Sequence, residues 1–232
     1  MDAKLLLLDL DGTLMDTAID LVESVQILRQ RHGRPRLPWA TLRPAVPEGS
    51  AALVQAGFAD IQQPDTLETL REELLAIYQQ QLSHNPVIFD GLDGALQQWE
   101  ASGKPWGIVT NKPRFLTEPL LQTIRIDQRI AVLVCGDDLP HCKPQPQPLL
   151  HAAAQLGIAA EHCVYLGDDR RDVIACRAAN MPVLVAAYDY LPAGEDPADW
   201  DADGLLEQPA QLLAAIARIQ SGTQANNPRQ PV

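Results

Sequence analysis

Residues 4–17 read KLLLLDLDGTLMDT, and the fold follows from the way the leucines give way to acids. Leu5 to Leu8 run straight into Asp9, and Asp11, Gly12 and Thr13 come next. A short, continuous apolar run closed by polar residues and glycine predicts a strand buried on both faces. In open parallel sheets the C-terminal strand ends line the ligand crevice, which puts both carboxylates there. Residues two apart on a strand share a face, so Asp9 and Asp11 address one small space unless the chain turns first. Gly12 supplies the backbone freedom for a sharp exit. Two such carboxylates repel each other, and a hard divalent cation with oxygen ligands, most simply magnesium, relieves the repulsion. One carboxylate is then free to attack phosphorus and form an aspartyl phosphate. The plainer reading is a surface turn favoured by Asp and Gly. A buried run leading directly into two acids speaks against it.

A length of 232 residues suits one ordinary domain with an insertion, or two small ones. Hydrophobic residues make up 46% of the chain, enough for a real core. The formal net charge of -12 argues against a nucleic-acid or membrane-surface role, since both call for basic patches. Cys135, Cys142, Cys163 and Cys176 show no C-x-x-C spacing and read as reduced core or near-core thiols of a cytoplasmic protein. The adjacent pair His141 and Cys142 is too little for a zinc site. No signal peptide or membrane-spanning stretch is expected.

After the first strand, residues 16–32 predict a helix with Leu21, Val25 and Leu28 on one stripe and Gly33 as its stop. A proline-rich segment follows, then a short helix over 51–57. Asp65 and Glu68 suggest a capping box opening a helix to about Ser83, with Leu67, Leu70, Leu74 and Ile77 buried. Residues 17–84 thus read as a helical insertion without a convincing strand. From Val87 the pattern alternates. Strands are expected at 105–110, 131–135, 163–166 and 183–187, with helices at 91–102, 115–124, 149–156, 172–179 and 208–220. Such alternation predicts an α/β fold, a doubly wound parallel sheet with helices on both faces. The polar stretch 221–232 is expected to be disordered.

Polar residues recur at the predicted strand ends: Asp9 and Asp11, then Thr110, Asp137 and Asp168. In an open parallel sheet those ends meet along one edge. Thr110 and its neighbouring N–H groups suit a phosphate oxygen, although an ordinary strand-end threonine looks the same. Lys143, among the prolines of HCKPQPQP, is a placed point charge suited to carboxylates and phosphoryl oxygens. Asp168, Asp169 and Asp172 lie in GDDRRD, where they could complete a magnesium site, hold Lys143, or simply cap a helix.

DLDGT at 9–13, IVTN at 108–111, Lys143 before a proline and GDDRRD at 167–172 resemble, in order, the four motifs of haloacid dehalogenase-type phosphatases. The resemblance covers the chain from Lys4 to about Gln220. It implies a catalytic core formed by 1–16 and 85–220, with a small helical cap domain, 17–84, inserted after the first strand. It further implies Asp9 as nucleophile and Asp11 as general acid/base. Thr110, Asn111 and Lys143 would bind the phosphoryl group. Magnesium would sit on Asp9, the backbone carbonyl of Asp11, and Asp168, with Asp172 in support. Asp11 together with Asp168 favours phosphoryl transfer over dehalogenation.

VTNKP at 109–113 and GDDLP at 136–140 are most similar to the phosphoglycolate phosphatase group, whereas GDDRRD and residues 188–203 lean toward its N-acetylmuramic acid 6-phosphate relatives. Pro47 and Glu48 stand where that group more often has a glycine-rich turn. Arg43, Glu48 and His84 are candidates for contact with the substrate's leaving group. The expected partner is a small phosphorylated metabolite, with no nucleic acid or membrane, for a monomer or homodimer. A phosphomutase of the same fold, and a phospho-acceptor or non-catalytic module, are the alternatives. The last would be expected to have lost one of Asp9, Asp11, Lys143 or Asp168, and none is missing.

Overall fold

The computed structural model of the chain describes residues 2–82, 87–188 and 194–222. His84, most of the tail predicted to be disordered, and part of the stretch 188–203 lie outside the described residues. The chain divides into two compact units, Met1–Met15 with Ile88–Val232, and Asp16–Val87.

The first unit is built on β1, Leu5–Leu8, whose four residues are all fully buried. Further along come α5 (Leu92–Ala101), β4 (Trp106–Val109), α6 (Arg114–Thr123), β5 (Val132–Val134) and α7 (Gln147–Gln155). They are followed by β6 (Cys163–Gly167), α8 (Arg170–Ala178), β7 (Val183–Ala186), β8 (Gly204–Leu206) and α9 (Leu212–Ser221). The strands form one parallel sheet in the order β5-β4-β1-β6-β7-β8. The doubly wound sheet expected from the alternation is therefore present. β1 lies at its centre between β4 and β6, so both its edges are paired, and its side chains are buried on both faces, as suits an unbroken leucine run.

Side chains alternate across a strand. Leu5 and Leu7 join Leu149 and Ala152 of α7 and Val173 and Cys176 of α8 in one core. Leu6 and Leu8 face the other side, and α5 and α9 pack on each other. Gly107 in β4 allows the neighbouring strand to approach, since a Cβ there would stand 2.5 Å from the Val132 carbonyl oxygen. Cys135, Cys163 and Cys176 are buried free thiols, whereas Cys142 is exposed. Burial pushes Cys135 and Cys163 up to about 11, so both stay protonated at neutral pH.

The second unit is helical: α1 (Ala18–Arg31), α2 (Trp39–Leu42), α3 (Ser50–Gly57) and α4 (Pro64–Gln81). Val22, Val25 and Leu28 of α1 and Leu70, Leu74 and Ile77 of α4 are buried. Arg29 is buried as well, donating to the carbonyls of Pro35 and Gly57. The capping box expected at Asp65 and Glu68 does not form. Pro64 opens α4 instead, because its missing N–H and preset φ suit the first helical position, and Glu68 pairs with Arg71. Two short strands, β2 (Met15–Asp16) and β3 (Val87–Ile88), pair where the chain passes between the units. They and β8 carried no readable period at two or three residues. No described helix is long and apolar enough to cross a membrane.

Candidate active site

The C-terminal ends of β1, β4 and β6 bring the motif residues together. β1 stops at Leu8, and the Asp9 N–H donates to the Leu166 carbonyl (2.9 Å), keeping Asp9 in register beside the end of β6. The chain then turns through Gly12, whose φ of 82° lies in the left-handed region glycine tolerates. Asp9 and Asp11 consequently meet different partners. Asp9 Oδ1 accepts from the Leu10 N–H (2.8 Å) and Oδ2 faces the Lys143 ammonium (2.9 Å). Asp11 is paired with Lys112, Nζ to Oδ1 at 2.9 Å.

Lys143 is buried, and its ammonium touches Asp9, Asp172 Oδ1 (2.7 Å) and the Tyr165 hydroxyl (2.7 Å). Burial disfavours the charge on Lys143, but Asp172 and Asp9 outweigh that and raise its pKa. Tyr165 donates in turn to the Val109 carbonyl (2.7 Å), and burial raises its pKa well above the usual value, so it remains a phenol.

Asp168 directly follows β6, and its Oδ1 accepts from the Thr13 hydroxyl (2.6 Å). Burial, then the charges of Asp9 and Asp172, push its pKa well up. Asp172 Oδ2 accepts from the Asp169 N–H (3.1 Å), while the Asp169 side chain caps α8 through the Arg171 N–H (2.7 Å). Asp172 thus both holds Lys143 and completes a capping box, two roles that had stood as alternatives. Burial pushes it up to about 6 despite Lys143. Gly167 makes this approach feasible, because a Cβ there would lie 2.2 Å from Asp172 Oδ2.

Carboxylate oxygens of Asp9, Asp168 and Asp172 all lie within 4.8 Å of one another. One ammonium faces three carboxylates, and all the donors are hard oxygens. That set suits a divalent cation of the magnesium type. The Asp11 carboxylate is not in the group and pairs with Lys112.

Thr110 is buried at the end of β4. Its N–H donates to the Val134 carbonyl (3.0 Å) and its Oγ1 accepts from the Lys112 N–H (3.2 Å). Asn111, expected to contact a substrate, has both ends of its amide on the Lys143 main chain, Nδ2 to the carbonyl (2.9 Å) and Oδ1 from the N–H (3.0 Å). Asp137, expected at the same edge, accepts instead from the Arg114 N–H that opens α6. Its neighbour Asp138 pairs with the Arg114 guanidinium.

Four participants were not singled out from the sequence: Thr13, Lys112, Tyr165 and Tyr188, the last of which donates to the Thr13 carbonyl. Thr13 and Lys112 sit inside or beside the quoted motifs, so position alone could have flagged them. Tyr165 lies on a fully buried strand, where a tyrosine reads as core.

The model of the haloacid dehalogenase-like hydrolase family matches residues 6–186. The chain belongs to that family. It is 44% identical over 214 residues to a phosphoglycolate phosphatase of Xanthomonas campestris pv. campestris, covering 92% of this chain and 96% of that protein. It is 37% identical over 218 residues to an N-acetylmuramic acid 6-phosphate phosphatase of Pseudomonas aeruginosa, covering 94% and 96%. The fold also matches the crystal structure of a predicted phosphoglycolate phosphatase from Haemophilus somnus 129pt, with a TM-score of 0.83 at 22% identity over 93% of this chain and 99% of that one.

Proposed function

We propose that this chain is a magnesium-dependent phosphatase that hydrolyses a small phosphorylated metabolite through an aspartyl phosphate on Asp9. The observation that carries this is the buried Lys143 ammonium between Asp9 and Asp172, with Asp168 in the same carboxylate group. The named activities of the relatives make 2-phosphoglycolate the leading substrate and N-acetylmuramic acid 6-phosphate the second.

In this reading an oxygen of Asp9 attacks phosphorus in line and the ester P–O bond breaks. Asp11 gives its proton to the departing oxygen. A water then attacks phosphorus, its proton passes to Asp11, the bond to Asp9 breaks, and phosphate leaves. Lys143 places positive charge beside the attacking oxygen, and Thr110 and Lys143 bind phosphoryl oxygens. Asn111 and Tyr165 keep Lys143 in place. Asp9, the Asp11 carbonyl and Asp168 would hold magnesium, which supplies charge to offset the phosphoryl oxygens. We assign residues 17–84 as the cap domain, and 1–16 with 85–220 as the catalytic core. The same reading makes the protein a cytoplasmic monomer or homodimer.

Phosphate release with magnesium is to be compared for 2-phosphoglycolate, N-acetylmuramic acid 6-phosphate and hexose phosphates. A clear preference for one of the first two is expected. No release from any, together with isomerisation of a hexose phosphate, would replace the hydrolase by a phosphomutase.

Metal binding has a readout of its own. Asp168 and Asp172 bind protons more readily in the folded chain than in the unfolded one. The stability Asp172 contributes is full below the ordinary carboxylate value of 3.8 and is lost as pH rises through about 6, and Asp168 acts in the same direction. Above that range the charged cluster destabilises the metal-free protein. Millimolar magnesium is therefore expected to raise Tm by several degrees at pH 7.5 and by much less at pH 5, where protons compete for the same oxygens. Equal shifts at both pH values, or none at pH 7.5, would contradict the assignment.

A further inference from the structure

Lys112 stands at the edge of this site, and the proposed reaction gives it no task. It is buried, 8% exposed, and its ammonium lies astride the Asp11 carboxylate, 2.9 Å from Oδ1 and 3.2 Å from Oδ2. The two residues are 101 apart in sequence. A buried ammonium is costly unless paired, so this contact differs from a casual surface ion pair.

The Lys112 main chain is fixed on both sides. Its N–H donates to Thr110 Oγ1 (3.2 Å), and its carbonyl accepts from the Gly136 N–H (3.0 Å). Gly136 can come this close only because it lacks a Cβ, which would stand 2.1 Å from the Asn111 carbonyl oxygen. Asn111 is itself clamped to Lys143. Asp11, by contrast, sits on a turn beside Gly12 and its side chain is 29% exposed. A fixed cation thus faces a carboxylate that its own turn leaves partly in solvent.

We propose that Lys112 is the positioning residue for Asp11, holding its carboxylate where it meets the oxygen of the leaving group. This rests on the phosphatase reading above. It predicts a dependence on the leaving group. An alkoxide needs a proton as it departs, whereas p-nitrophenolate leaves nearly unaided. kcat/KM reports the first phosphoryl transfer, in which that proton moves.

Lys112→Met is expected to lower kcat/KM for 2-phosphoglycolate, or for whichever alkyl phosphate the wild type prefers, by about 100-fold, the scale of a misplaced catalytic group. For p-nitrophenyl phosphate the loss should stay below about tenfold, since general-acid assistance contributes little there. The double variant with Asp11→Asn should be no slower than Asp11→Asn alone. Equal losses on both substrates, or additive losses in the double variant, would overturn the proposal. Lys112→Gln carries the same test if the methionine variant does not fold.

The wild-type rate tests the phosphatase reading separately. An arm without turnover tests this one: in a crystal structure of Lys112→Met, the Asp11 carboxylate is expected to leave its wild-type position. An unmoved Asp11 would overturn the proposal whatever the activity.

Discussion

Asp9→Asn is expected to give a folded protein whose phosphate release falls by at least about 10⁴-fold, the scale on which a lost nucleophile registers. An amide cannot form the acyl phosphate, so no slower version of the same route remains. The fold should survive. Asp9 lies beyond the end of β1, its N–H bond to Leu166 is made by the main chain, and an amide oxygen can still accept from Leu10. Removing one of three clustered carboxylates also relieves repulsion on Asp168 and Asp172, which Asp9 pushes upward. Phosphate release and a thermal melt, run on the same preparation, check both halves. Turnover within tenfold of wild type would remove Asp9 as nucleophile.

Lys143→Met should damage both stability and activity. Asp172 is 1% exposed and Asp168 is 4% exposed, so loss of the ammonium leaves buried carboxylates without their counter-charge. Breaking a buried ion pair from one side costs about 3–5 kcal/mol. The deficit should depend on pH. Lys143 has a raised pKa, so its contribution is present at every pH below its ordinary 10.5. The variant's carboxylates escape the penalty by binding protons, the more readily without Lys143, so its deficit should be larger at pH 7.5 than at pH 5. Denaturant unfolding at pH 7.5 and pH 5 measures this. A stability equal to wild type at pH 7.5 would show that the cluster is not held by Lys143. Activity should fall by at least about 100-fold, as when one preorganised donor is removed from a developing charge.

Much of this was legible in the chain. Leu5 to Leu8 followed by acids gave a central buried strand, because an unbroken apolar run with an abrupt polar end has few other homes. The alternation after Val87 gave the parallel sheet, and four motifs in order gave the family. Elements with too few residues to show a period were not legible: β2, β3 and β8. The start of α4 was misplaced because Asp65 and Glu68 imitate a capping box that Pro64 pre-empts.

Sequence by itself determined which side chains stand at the ends of the strands, because strand direction and the site of chain reversal are local properties. It therefore supplied Asp9, Thr110 and Asp168, and the proline-flanked Lys143 came from its motif. Tertiary structure alone decided how they pair. Asp9 and Asp11, two residues apart, are separated by the turn at Gly12 and given to different lysines, Lys143 and Lys112. Asn111 turns to a main chain 32 residues away, and Tyr165, on a fully buried strand, supplies an acceptor for Lys143. These contacts join residues 22 to 134 apart. No local period encodes them, because they arise where strands distant in the chain become neighbours in the sheet.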